Sequence, residues 1–111
     1  MNISVRGRHL AVSEPPKAYG VRRLTFSIGS FGSVVSDVEV RVADVNGPRG
    51  GVDKTSVITA LLRPLGTLVA RAQHANAYSA IDRAAVRLRA LLVRHVQRRY
   101  RSRRRDPRAA R

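Results

Sequence analysis

Along the last third of the chain, arginine recurs at Arg83, Arg87, Arg94, Arg98, Arg101 and Arg105. On a helix, at roughly 100° per residue, these positions fall within about 60° of one another. A guanidinium is planar, permanently charged and rich in N–H donors, which suits phosphate oxygens and base edges better than a lysine point charge. Like charges stacked this way repel by roughly a few tenths of a kcal/mol per pair. No acidic residue stands between Asp82 and Asp106 to relieve them. A face built for solubility alone mixes signs. The stripe therefore predicts contact with a polyanion whose phosphates neutralise it as counterions are released.

The whole chain supports the same partner. Its 111 residues hold 22 Lys plus Arg against 7 Asp plus Glu, a net +15, and only Lys17 and Lys54 are lysine. Nucleic acid is favoured. Arg22 and Arg23, with Arg6 and Arg8, can extend the positive surface, and Tyr100, set among arginines, can stack on a base.

Other chemistries find little footing. With no cysteine, thiolate metal sites, disulfides and cysteine nucleophiles are excluded. His9, His74 and His95 lack ligand spacing, so neither metal nor any other cofactor is expected. Gly47-Pro48-Arg49-Gly50-Gly51 is separated from Lys54-Thr55 by Val52 and Asp53 and fails the phosphate-loop pattern. No serine sits at a strand-to-helix elbow with an oriented base, so the chain is not expected to be an enzyme or to take a small-molecule substrate. The opening Met1 to Leu10 carries Arg6, Arg8 and His9 and no signal-like apolar run, and no stretch is long and apolar enough to span a membrane. A cytoplasmic location follows as an expectation. A lipid-surface role for the basic helix is disfavoured because its apolar stripe is needed elsewhere and it lacks Trp.

The elements that must carry these residues are legible from periodicity. Ile3, Val5 and Gly7 alternate with polar neighbours, a first strand. Ser13 reads as a helix cap before Glu14-Pro15-Pro16, and Tyr19, Arg23, Phe26, Leu24 and Ile28 can form the helix, with Gly20 as a weak point. Val38, Val40 and Val42 against Glu39 and Arg41 predict a half-buried strand over 34–45. Asn46-Gly47-Pro48-Arg49-Gly50-Gly51 predicts a wide loop, 56–62 a third strand, and Arg63-Pro64-Leu65-Gly66 a tight turn. Over 67–73 a fourth strand places Leu68, Ala70 and Ala72 on one face, and Asn76 caps the last helix.

In that helix Tyr78, Ile81, Ala85, Leu88, Leu92 and Val96 fall within about 80°, an apolar stripe nearly opposite the arginines. The expected fold is α+β, in the order β-α-β-β-β-α: a four-stranded sheet with an antiparallel meander and two helices packed on one face. One domain is expected over 1–99, followed by an arginine-rich tail over 100–111.

The segment Asn76-Ala77-Tyr78-Ser79-Ala80-Ile81-Asp82 resembles the Asp-x-Tyr-x-Ala-Ile-Asp signature of the ribosome hibernation promoting factor and ribosome-associated inhibitor family, the sigma-54 modulation proteins. Met1-Asn2-Ile3 through Val12-Ser13-Glu14 is similar to that family's first strand and helix start, and the stretch from Ala43 to Lys54 to a loop of a short-form branch. The resemblance covers residues 1–99. It implies a non-enzymatic factor that binds small-subunit rRNA in the channel used by mRNA and tRNA, with the small ribosomal subunit as partner. Arg23, Arg87 and Arg94 stand where the family carries rRNA-facing basic residues, and His95 matches a common histidine. Pro15, Pro16, Phe26 and Ala90 depart from the pattern.

Together these readings make Arg22, Arg23, Arg83, Arg87, Arg94, His95, Arg98, Arg101 and Arg105 the candidate rRNA-binding residues. The sequence leaves the oligomeric state open, with a monomer expected on the ribosome. An accessory ribosomal protein or general RNA chaperone of the same fold is the alternative.

Overall fold

The computed structural model describes residues 1–8, 14–44 and 54–105. Strand β1 (Asn2–Arg8) is followed by helix α1 (Glu14–Ile28), a 3-10 turn at Gly29–Phe31, strands β2 (Val35–Asp44), β3 (Lys54–Leu62) and β4 (Thr67–His74), and helix α2 (Ala77–Arg105). This is the expected order. The cap expected at Ser13 and the loop expected over 46–51 lie outside the described residues.

Alternation builds the sheet. Val38, Val40 and Val42 are buried while Arg41 between them is exposed, because successive side chains leave a strand on opposite faces. The strands lie in the order β1-β2-β3-β4, with β2, β3 and β4 an antiparallel meander and β1 parallel to β2. Periodicity alone does not fix the place of β1. Arg63-Pro64-Leu65-Gly66 does turn the chain: the Leu62 N–H donates to the Gly66 carbonyl at 2.9 Å, and Gly66 takes a φ of 122° that only glycine adopts at ease.

Both helices cover one face, α1 over β1 and α2 over β3 and β4, and they touch each other along their length. They run in the same direction, since Tyr19, Arg23 and Ser27 meet Asp82 and Arg89 in rising order. The core is aliphatic: Leu24, Ile28, Val40, Ile58, Leu88 and Leu92 are fully buried. Gly20, the weak point of α1 by propensity, has a packing reason. A Cβ there would stand 2.9 Å from Val5 Cγ2, so glycine lets α1 settle directly onto β1.

Asn76 begins α2 as expected. Its Oδ1 accepts the N–H groups of Tyr78 (2.8 Å) and Ser79 (3.4 Å), and its own N–H donates to His74 Nδ1 at 3.1 Å. The buried side of α2 differs from the expected stripe. Ile81, Ala85, Leu88 and Leu92 are buried, but so are Ala80 and Ala84, whereas Tyr78 and Val96 remain 38% and 36% exposed. The buried side is thus turned roughly 40° toward the arginines. The cause is packing: α2 lies over β4, where small Ala70 and Ala72 are buried, so the side of the helix bearing Ala80 and Ala84 can approach the sheet closely, while the Tyr78 side abuts α1. Phe26 lies in α1 as expected, and its ring points outward.

Candidate nucleic-acid interface

Because of that turn, the arginine stripe lies on the flank of α2 above β4 rather than directly opposite the sheet. Arg83, Arg94 and Arg98 are exposed there and form no ion pair with any described residue. Arg87 shares the flank, but its Nη1 donates to the backbone carbonyl of Arg71 in β4. Arg101 and Arg105 lie on the continuing helix, which runs through Arg105; their side chains are outside the described residues.

Arg22 is exposed on α1. Arg23 is half-buried between the helices, and its Nε donates to Asp82 Oδ1 at 3.0 Å. The same oxygen accepts the Tyr19 hydroxyl at 2.5 Å, and Tyr78 closes the group edge-on against Tyr19, ring centroids 5.1 Å apart. Asp82, the sole acid of α2, therefore clamps the two helices and fixes one guanidinium on the line between them. Sequence reading placed Asp82 in a motif but gave it no task. The available signal was a lone carboxylate in an otherwise basic helix, opposite a Tyr and an Arg one turn apart.

His95 does not share the arginine flank. Its Nε2 is buried without a hydrogen-bond partner among the described residues, because its helical angle falls on the side turned toward the sheet. Arg6 also departs from expectation. With Val5 buried beneath α1, the alternation sends Arg6 to the uncovered sheet face, in register with Arg41, and away from the helix surface. That opposite face mixes signs, with Asp37, Glu39 and Arg41 around a shallow hollow and Glu39 paired to Arg41.

Two further arginines missed by the wheel are structural. Arg89 Nη1 donates to the Ser27 carbonyl at the end of α1 (2.6 Å), with its guanidinium carbon 5.7 Å from the Phe31 ring centre. Arg99 Nη1 donates to the Arg63 carbonyl in the β3–β4 turn at 3.2 Å, bracing α2 where it leaves the sheet.

The clamp carries a pH signature. The hydrogen bond to Asp82 first, then burial and the Asp82 charge, raise the Tyr19 pKa above its ordinary 10.0, against a smaller opposing pull from Arg23 and Arg22. A native pKa above the unfolded one means the contribution is complete below about pH 10 and disappears as pH climbs through the raised value. We expect the melting temperature to fall above pH 10 more steeply in the wild type than in Tyr19→Phe. Identical slopes would show that the clamp does not link proton release to stability.

The arrangement offers a positive, convex two-helix surface with guanidinium groups at several heights. It has the means to hold phosphates. Among the described residues no helix is long and apolar enough to cross a membrane. A sequence model of the family described as Sigma 54 modulation protein / S30EA ribosomal protein matches residues 3–100. No curated protein matches the chain. Among solved structures, the chain is similar to the N-terminal domain of Protein Y from Thermus thermophilus, with 24% identity, a TM-score of 0.69, and 86% of this chain and 99% of that one covered. It is also similar to a ribosomal subunit interface protein from Coxiella burnetii, with 16% identity, a TM-score of 0.75, and 87% and 99% covered. At these identities both likenesses speak for the fold.

Proposed function

Since the chain belongs to the Sigma 54 modulation protein / S30EA ribosomal protein family, we propose that it is a ribosome-associated translation inhibitor of the hibernation type, binding small-subunit rRNA in the decoding channel through its two-helix face. The observation that carries this reading is the flank of α2 on which Arg83, Arg94 and Arg98 stand exposed with no carboxylate against them among the described residues. Guanidinium groups with no carboxylate partner among the described residues can meet phosphate. Affinity then comes mainly from backbone contacts and shape, as is usual for structured RNA, and inhibition from occupying space that mRNA and tRNA need.

Arg23 adds a cation whose position is set by Asp82, so less side-chain freedom is lost on binding. The name of the Coxiella burnetii neighbour, a ribosomal subunit interface protein, agrees with this partner. A ribosome partner puts the site of action in the cytoplasm, and a monomer suffices to present the face.

Cosedimentation with purified small subunits tests the proposal. The protein is expected to pellet with the subunit and to be released by excess tRNA. Failure to pellet overturns the rRNA reading, and pelleting that tRNA leaves unchanged removes the decoding channel from it.

A further inference from the structure

The chain has two phenylalanines and no tryptophan, and it uses the two rings in opposite ways. Phe31 is packed against the core with Arg89 over its face. Phe26 is 88% exposed on α1, more than any other large apolar side chain described, although Leu24 and Ile28 beside it are fully buried. The core beneath α1 is complete without it. Its helical neighbours toward the N-terminus are Arg22 at four residues and Arg23 at three, so the ring shares one face with two guanidinium groups, the second of them held by Asp82. Along the parallel helices it stands between the Asp82 and Arg89 levels of α2, near the height of Val86, itself 58% exposed.

We propose that Phe26 is a stacking platform for an unpaired nucleobase. This rests on the RNA-binding reading above and specifies how one nucleotide is held: the base lies on the ring while its flanking phosphates meet Arg22 and Arg23. A single exposed apolar residue is ordinary on a protein surface. This one is set apart by its surroundings. The only acid in α2 is Asp82, which is already engaged by Arg23 and Tyr19, so the ring is bordered by cations and by no free described carboxylate. A ligand that offers a flat π-face and negative charge within one residue's reach fits that border, and a nucleotide offers both. Stacking of this kind tolerates any base identity, because every base has a π-face.

The test uses the full chain with Phe26→Trp, Phe26→Leu and the wild type. Phe26→Trp introduces the protein's sole tryptophan. On titration with protein-free small-subunit rRNA, which adds no tryptophan emission, its fluorescence is expected to be strongly quenched, while affinity for small subunits is kept. Phe26→Leu, equally apolar but without a π-face, is expected to bind small subunits roughly tenfold more weakly with an unchanged melting temperature. If the wild type binds and Phe26→Leu binds equally well, the stacking proposal is overturned and the RNA reading stands. Emission that stays unquenched on rRNA, with Phe26→Leu still weakened on intact subunits, overturns it in favour of an apolar protein pocket. Absence of wild-type binding to both rRNA and subunits overturns both readings.

Discussion

Replacing Arg83, Arg94 and Arg98 together by glutamate is expected to weaken binding to small subunits by roughly two orders of magnitude while the melting temperature stays nearly constant. The magnitude follows from counterion release. Each phosphate contact contributes about 0.7 to 0.9 to the slope of log affinity against log salt, so the neutral Gln triple variant should flatten that slope by about 2 to 3. Reversal adds repulsion to the loss. Stability is spared because the three side chains are exposed, form no ion pair with any described residue, and repel one another in the free protein. Arg87 is left out of the set on purpose: its hydrogen bond to the Arg71 carbonyl would mix a folding effect into the binding one. An unaltered affinity and salt slope would remove the α2 flank from the interface.

Leu88→Ala should do the reverse. Leu88 is fully buried midway along the packed part of α2, within the same cluster as Leu92 and Ile81. Truncating it leaves a cavity that costs about 2 to 5 kcal/mol, against a total stability for such a domain of about 5 to 15 kcal/mol. A fall in melting temperature of roughly 10 °C or more is expected in thermal unfolding followed by circular dichroism. At a temperature where the variant is still folded, its affinity for small subunits should match the wild type, since the outward charges are unaltered. Should Leu88→Ala lower affinity there and the arginine triple variant leave it alone, recognition would depend on the shape of the helix packing and not on its charge.

The two variants separate what is visible in a sequence from what is not. Valines at 38, 40 and 42, the Asn76 cap and the turn at 63–66 each announce themselves locally, because alternation, capping and turn chemistry are short-range effects. Position within the assembly is a different kind of information. That β1 lies beside β2 in parallel depends on where α1 carries the chain. The angle at which α2 meets the sheet depends on Ala70, Ala72, Ala80 and Ala84 allowing one side to approach closely. A helical wheel measures angles about the helix's own axis and knows nothing of its neighbours.

The arginines teach the same lesson. Counted in sequence, they form one pool of charge. In the folded chain Arg23 meets a carboxylate, Arg87, Arg89 and Arg99 reach backbone carbonyls, and Arg6 faces the far side of the sheet. Long flexible side chains choose partners only once backbone carbonyls from distant segments have been brought within reach. His95, drawn toward the sheet by the turn of α2, shows how sensitive a single position is to that angle.

The Arg87 contact also bears on how such a protein behaves when free in the cell. β4 is an outermost strand, and outermost strands can template the growth of another chain's backbone into cross-chain aggregates. A guanidinium seated on the mid-strand carbonyl of Arg71 blocks that docking point and places a fixed positive charge where an identical +15 molecule would have to arrive. The same residue that borders the candidate RNA surface thereby discourages the protein from polymerising with itself.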